Sequence, residues 1–275
     1  MSDMFCVLDA SYLAYRAFYS MPKGLEYGSI PTTVAYGIFQ TIEGLQRDWG
    51  ISAARLIFAF DHGPFHRSSI YPDYKGGRHE TEEAKKTREA VKKQLRRLQR
   101  MLPEAGFVNC FSVQGYEADD IIAETCRILK DRRVMMVSSD KDLYQLLDRD
   151  RHFMWLPAKQ ETYTEKKFRA ETGLHPQQWV KVKALAGCSS DNIPGVKSIG
   201  EKTAIEYLRD GVITEARRKA FKDAREDGSL SLWRRLVTLP YDDGLSFEIG
   251  QNEVTPRALK AMFAELGIES IRIEV

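Results

Sequence analysis

RRVMMVSSD, residues 132–140, decides the fold. Its apolar stretch predicts a strand over residues 133 to 138 that ends on Asp140, with Asp142 two residues further on. The same design recurs in MFCVLD (4–9), which closes on Asp9, and in ARLIFAFD (54–61), which closes on Asp61. FVNCFSV (107–113) is a fourth strand-like run, followed by Glu117, Asp119 and Asp120 at the start of a helix. In parallel α/β sheets, functional sites collect outside the carboxyl ends of the strands. Strands laid side by side would bring these seven carboxylates into one small volume. Like charges that close repel and need counter-charge, and a hard divalent cation is the usual one for an all-oxygen cluster.

The rest of the chain supports a sheet covered on both faces. Helices are predicted over residues 11–19, 32–49, 117–130 and 141–147, strands over 56–61 and 107–113, and a shorter strand at HFMWLP (152–157). This alternation of strand and helix gives a mostly parallel central sheet flanked by helices. Residues 62–84 read as a long polar region without apolar periodicity, and residues 22–31 as a glycine-containing loop. A basic helix follows over about 83–101, with Val91, Leu95, Leu98 and Leu102 as its buried stripe and Pro103 and Gly106 as its stop. After about residue 164 the pattern turns helical, over 164–171, 176–186, 201–209, 214–225, 229–237 and 256–266, with IRIEV (271–275) as a final strand.

Composition sets bounds on class. The 275 residues suit one large domain or a core with an appendage, and 43% apolar residues are enough to fill a sizeable core. A net charge of +2 implies little about partners, whereas its distribution does: acids gather at strand ends and bases elsewhere. Cys6, Cys110, Cys126 and Cys188 form no CxxC pair, which favours reduced thiols over a disulfide framework or zinc site. No apolar run reaches the ~18 residues of a membrane span. MSDMFCVLD carries an acid and enters a strand directly, unlike a signal peptide. A cytoplasmic monomer with no membrane attachment is expected.

Each acid has an ordinary alternative. An Asp after a strand commonly caps a helix, and Asp119 and Asp120 would be favourable first-turn acids. Asp140 and Asp142 fit a cap and a first-turn acid, and Asp191 in GCSSDNIPG fits a turn. The metal reading gains because every such acid falls on the same predicted sheet edge. Two divalent ions ~4 Å apart suit phosphodiester hydrolysis. His62, His66 and His79 fit no zinc spacing and are read as solvent or phosphate contacts.

Two further segments carry basic charge. RSSIYPDYKGGR (67–78) places Arg67, Tyr74, Lys75 and Arg78 on a loop beside the sheet. Such a loop can be merely solvated, or it can clamp a phosphate with Lys and Arg while Tyr74 stacks on a base. IPGVKSIGEKTA (193–204) reads as a hairpin between helices, where Gly195 and Gly200 permit positive φ and close approach and Lys197 and Lys202 add charge. Amides at the start of the following helix can hold a phosphate.

Taken together, VLDASYLAYRAF (7–18), FAFDHGPFHRSSIYPDYKGGR (58–78), GYEADDIIA (115–123), SSDKDLYQLL (138–147) and AGCSSDNIPGVKSIGEKTA (186–204) resemble the motifs of the 5′-nuclease, or flap endonuclease, superfamily. The resemblance is closest to the 5′→3′ exonuclease domain of bacterial DNA polymerase I and its stand-alone bacterial and phage relatives. It implies a PIN/5′-nuclease-like fold with a helical arch at about 76–100 and a helix–hairpin–helix-type element at 187–208. The expected division is a nuclease core over 1–175 and a mainly helical DNA-binding region over 176–275. The implied metal ligands are Asp9, Asp61, Glu117, Asp119, Asp120 and Asp140, with Asp142 and Asp191 at a second position. Lys75 and Arg78 match the family's catalytic lysine and its companion, and Tyr74 an aromatic near the scissile nucleotide. Arg16 and Arg67 match basic residues near the phosphate, and the hairpin implies a K⁺ ion on backbone carbonyls.

The expected activity is therefore two-metal cleavage of DNA near 5′ ends or 5′ single-strand/duplex junctions, leaving 5′-phosphate and 3′-hydroxyl ends. Mg²⁺ is the expected ion, with Mn²⁺ as substitute. RNA is left open as a substrate, and a replicative polymerase as a partner. Cys188 departs from the implied pattern by standing where a metal-ligand Asp is expected, and a thiol is a poor match for Mg²⁺. The alternative is thus a junction-binding protein with weak or no cleavage, and a third reading is a metal-dependent ribonuclease.

Overall fold

The computed structural model of the chain describes residues 3–21, 25–76 and 81–275. Its strands are β1 (Phe5–Asp9), β2 (Glu26–Tyr27), β3 (Ile30–Pro31), β4 (Leu56–Ala59), β5 (Cys110–Phe111), β6 (Val134–Val137), β7 (His152–Leu156) and β8 (Glu161–Tyr163). Its α-helices are α1 (Ala10–Ser20), α2 (Thr33–Trp49), α3 (His66–Ile70), α4 (Glu82–Glu104), α5 (Ala118–Ile128), α6 (Glu165–Thr172), α7 (Trp179–Ala186), α8 (Glu201–Asp210), α9 (Glu215–Glu226), α10 (Ser229–Val237) and α11 (Pro256–Leu266). None is long and apolar enough to cross a membrane among the described residues.

The main sheet runs β5-β4-β1-β6-β7-β8, parallel except for β8. Every residue of β1 and β6 is buried, as continuous apolar strands require when helices cover both faces. One face packs against α1, α2, α4 and α11 through Leu8, Leu13, Ile38, Leu98 and Phe263. The other packs against α5 to α8 through Val7, Ile121, Phe168, Trp179 and Ala204. The chain steps from β1 outward to β4 and β5, then crosses to β6 on the far side of β1. The strand order therefore reverses between β1 and β6, the place where open α/β sheets form a crevice. Leu8 pairs with Val137 there, so Asp9 and Ser138 emerge together at the carboxyl edge.

Several sequence expectations need correction. The polar region 62–84 contains the short helix α3, and the loop 22–31 includes the β2–β3 hairpin. Residues 141–146 form a 3-10 helix rather than an α-helix. Pro103 lies inside the last turn of α4, and the helix stops at Ala105. Gly106 follows at φ 94°, where a Cβ would meet Glu253 O at 2.4 Å. IRIEV forms no strand: its backbone bonds go to side chains of α2, with Glu274 N donating to Gln46 Oε1 at 2.8 Å and Arg272 N to Glu43 Oε1 at 2.7 Å. The tail after α10 returns to the first core, where α11, Ile268 and Ile271 join that cluster.

Candidate active site

Asp9 ends β1 and serves two purposes at once. Its Oδ1 accepts from Tyr12 N at 2.9 Å, capping α1, and its Oδ2 accepts from Ser138 Oγ at 2.8 Å. Ser138 Oγ also accepts from Asp140 N at 3.2 Å, and Asp140 Oδ1 from Asp142 N at 2.8 Å. Asp61, beyond β4, accepts from Ala118 N at 2.8 Å and so orients the start of α5, which carries Asp119. The ordinary capping role and the site role thus fall on the same carboxylates. Among the described residues, Asp9, Asp61, Asp119 and Asp140 make no ion pair.

The electrostatics reflect that crowding. Burial, with the charges of Asp61 and Asp140, pushes Asp9 up to about 7 against the N–H of Tyr12 and the hydroxyl of Ser138. Burial also lifts Asp119 well above the usual carboxylate range, helped by Asp140, Asp9, Glu117 and Asp142. Acids in this state gain most from a cation placed among them.

Glu117, Asp120 and Arg67 form a different group. Arg67 is 2% exposed and Asp120 0%. Arg67 donates to both oxygens of Asp120, at 2.6 and 2.8 Å, to Glu117 Oε2 at 3.1 Å and to the carbonyls of Leu236 and Thr238. Asp120 also accepts from Glu117 N and Tyr241 N. Asp9 accepts only neutral donors, whereas Asp120 has both oxygens on a guanidinium, so its charge is already paired in this structure. Arg67, expected beside a phosphate, is buried against Asp120 here.

Tyr74, expected near a base, is packed inward in this structure. It is buried among Ala184, Ile193, Leu236 and Val237, and its hydroxyl donates to Glu117 Oε2 at 2.6 Å. Lys75 follows at φ 56°, its N–H donating to Asp191 O at 3.0 Å. Its Nζ donates to Glu117 Oε1 and lies 3.7 Å from Asp191 Oδ1. Burial pulls this ammonium down, but Glu117 and Asp191 outweigh it and hold it charged above its ordinary range. The same cation, with Arg67, keeps Glu117 below the usual carboxylate range despite burial.

Asp142, Cys188 and Asp191 form a second cluster, with their donor atoms within 4.8 Å of one another. Lys183 of α7 reaches into it, Nζ 2.7 Å from Asp142 Oδ1. Cys188 Sγ donates to Asp191 Oδ2 at 3.3 Å and contacts Ser190 Oγ at 3.0 Å. One cleft is lined by Asp119, Asp140, Asp142, Glu117, Asp191 and Lys75, with Leu236, Val237 and Leu239 on its wall.

The predicted hairpin joins α7 to α8. Gly195 has φ 69°, and a Cβ there would lie 2.4 Å from Gly187 N, so its glycine is required. Gly200 differs from expectation: φ is −93°, and it caps α8 with open space on its Cα. Lys197 and Lys202 are exposed beside it. Lys141 Nζ bridges to Glu201 Oε1 at 2.9 Å, linking the acid edge to the start of α8. Arg16 donates to Pro157 O at 3.4 Å and, among the described residues, makes no bond to the acid cluster. Of the loop histidines, His62 Nδ1 lies 3.3 Å from Ser112 Oγ and His66 packs edge-on against Tyr116. Arg78 and His79 lie outside the described residues, as does part of the expected arch; α4 is docked in the core through Val91, Leu98 and Leu102. The four cysteines are free thiols.

Sequence reasoning missed Ser138, Lys183 and Gln145. Ser138 stood in the quoted SSD, one step from its partner strand. Gln145 Nε2 donates to Asp142 O at 2.9 Å and Val237 O at 3.0 Å, and its Oε1 accepts from Leu239 N at 3.0 Å. Neither Gln145 nor Lys183 carries a local signal.

Residues 4–173 match the family described as 5′-3′ exonuclease, N-terminal resolvase-like domain, and residues 174–259 its C-terminal SAM fold. The thermostable DNA polymerase I of Thermus thermophilus is 32% identical over 281 residues, covering 96% of this chain and 32% of that protein. DNA polymerase I of Bacillus subtilis (strain 168) is 30% identical over 285 residues, covering 96% and 31%. The chain thus spans about a third of the length of these relatives. Among solved structures, T5 5′-exonuclease with bound divalent metal ions (zinc) superposes with TM-score 0.74 at 22% identity, covering 96% of this chain and 98% of that one. That likeness shows the fold.

Proposed function

The chain belongs to the 5′-3′ exonuclease family, and from that premise we propose that it is a divalent-metal-dependent, structure-specific 5′ nuclease acting on DNA ends and 5′ single-strand/duplex junctions. The observation that carries the proposal is that Asp119 and Asp140 line one cleft with the charged Lys75, with Asp9 near enough to raise Asp119, and that none of these three acids has a cationic partner among the described residues. Their hard oxygen donors and mutual repulsion fit a divalent cation, Mg²⁺ by preference with Mn²⁺ as substitute. Asp61 would complete the holding group at its rim.

The bound ion would supply charge to the phosphate and activation of a water for its hydrolysis. The remaining work falls to the chain. Lys75 Nζ, its side chain 29% exposed, can trade Glu117 for a phosphate oxygen. Arg67 and Tyr74 fix Glu117 from behind, so that exchange does not displace it. Gly200 and the first amides of α8, flanked by Lys197 and Lys202, offer a duplex phosphate an open approach. Left-handed bends at Asn192, Gly195 and Ser198 support a carbonyl-lined K⁺ position in the same hairpin.

DNA polymerase I relatives carry the matched region within a longer chain, which supports a polymerase as partner and the cytoplasm as the place of action. The test is product analysis with matched DNA and RNA 5′ flaps in Mg²⁺ and in Mn²⁺. Cleavage of the DNA flap near the junction, with a 5′-phosphate on the new end, is expected. Preference for RNA would move the assignment to a ribonuclease. Junction binding without cleavage would leave a DNA-binding protein.

A further inference from the structure

On the reading that this is a metal-dependent nuclease, we infer that the chain holds one divalent cation tightly, at Asp9, Asp119 and Asp140. The Lys183 ammonium takes the place of a second ion beside Asp142, Cys188 and Asp191.

The two clusters differ in what they already contain. The second has the size of an ion site, its three donor atoms lying within 4.8 Å of one another. Its donors are wrong for a hard divalent ion. Cys188 contributes a thiol, which is neutral at neutral pH and soft when ionised. The two carboxylates each have an ammonium: Lys183 at 2.7 Å from Asp142, and Lys75 at 3.7 Å from Asp191. Lys75 is shared with Glu117, to which its Nζ donates, so the two ammonium groups lower the demand for a second cation without abolishing it.

Lys183 is also poorly placed to leave. Its side chain is 12% exposed, and α7 is fixed in the core by Trp179, Val182 and Leu185. An incoming divalent ion would have to turn that ammonium out and strand it without a partner, and a buried charge left unpaired is strongly unfavourable. At the first cluster no ammonium has to be displaced, because Asp9 and Asp140 accept only from neutral donors. Functionally, Lys183 puts a fixed positive charge where two-ion hydrolysis places its second cation, and metal supply then governs one binding step rather than two.

The test is Mn²⁺ binding to the full metal-free chain, read as free Mn²⁺ by electron paramagnetic resonance, with no substrate and no activity readout. Wild type should bind one ion tightly and any second at least about tenfold more weakly, because one close charge shifts cation affinity by roughly one to three powers of ten. Lys183→Met and Cys188→Asp should each tighten the second step by a comparable factor, while Lys183→Arg, which keeps the charge, should not. Thermal unfolding in chelator checks that each variant is folded, and Cys188→Asp serves should Lys183→Met not be. Two ions of similar affinity in wild type, or a second step untouched by both substitutions in folded protein, overturn the inference. Absence of any tight Mn²⁺ in wild type overturns the nuclease reading on which it rests.

Discussion

Arg67 and Asp120 meet in a bidentate ion pair shut away from solvent, Nη1 to Oδ2 at 2.6 Å and Nη2 to Oδ1 at 2.8 Å. The pair ties α3 to the first turn of α5, and the remaining Arg67 donors tie both to the end of α10. Arg67→Met should therefore act on stability. It leaves Asp120 buried without its partner, which costs about 3–5 kcal/mol. Urea unfolding checks this. An unchanged midpoint together with weakened DNA binding would return Arg67 to the role of a phosphate contact.

Lys75 should behave in the opposite way. Its side chain is partly exposed and its partners are site acids, so Lys75→Met should leave flap binding largely intact. Cleavage should fall by roughly 10²–10³-fold, the effect of losing one positioned charge at a developing anion. Single-turnover rates at saturating enzyme separate the two effects.

The acid cluster gives metal-free protein a pH dependence whose sign is fixed. Asp9 moves from an ordinary 3.8 to about 7 in the folded chain. Between those values the folded state keeps a proton that the unfolded state has released, so stability is present at low pH and is lost as pH rises through about 7. Asp119 shifts in the same direction. His152, held below 6.5 mainly by burial, works the other way. Melting in chelator should therefore be compared between wild type and Asp9→Asn. Wild type should lose more stability than Asp9→Asn between about pH 4 and pH 7, and Mn²⁺ should restore more of it at the higher pH. Identical profiles for the two proteins would contradict the assignment.

The two hairpin glycines should separate cleanly. Gly195→Ala forces a side chain into left-handed backbone against Gly187 and should destabilise the protein by more than about 1 kcal/mol. Gly200→Ala meets nothing within 4 Å and should leave the melting temperature unchanged while weakening duplex binding. Equal effects of the two on stability would show that the open face of Gly200 has been misread.

How much of this was legible in the sequence depended on distance along the chain. Strands buried on both faces announce themselves as continuous apolar runs, and an acid at the end of each can only emerge at the carboxyl edge. Asp9, Asp61 and Asp140 were placed on that basis. Arg67 could not be, because a loop arginine looks the same whether it faces solvent or a carboxylate 53 residues away. The same holds for Lys183, whose partner Asp142 lies on another element. β8 was missed because Glu161–Tyr163 is three residues long and carries no apolar run. IRIEV alternates like a strand, but side chains of α2 satisfy its backbone in place of a neighbour.

Cleavage is expected to require an ion held by Asp9, Asp119 and Asp140. The most direct measurement is the cleavage rate of a 5′-flap DNA as a function of Mn²⁺ concentration, for wild type and for Asp140→Asn, with flap binding followed in parallel. Wild type should rise from no cleavage in chelator to a saturating rate, and Asp140→Asn should bind the flap yet stay near the chelator baseline throughout. Cleavage in chelator, or a wild-type rate curve from Asp140→Asn, would contradict the account.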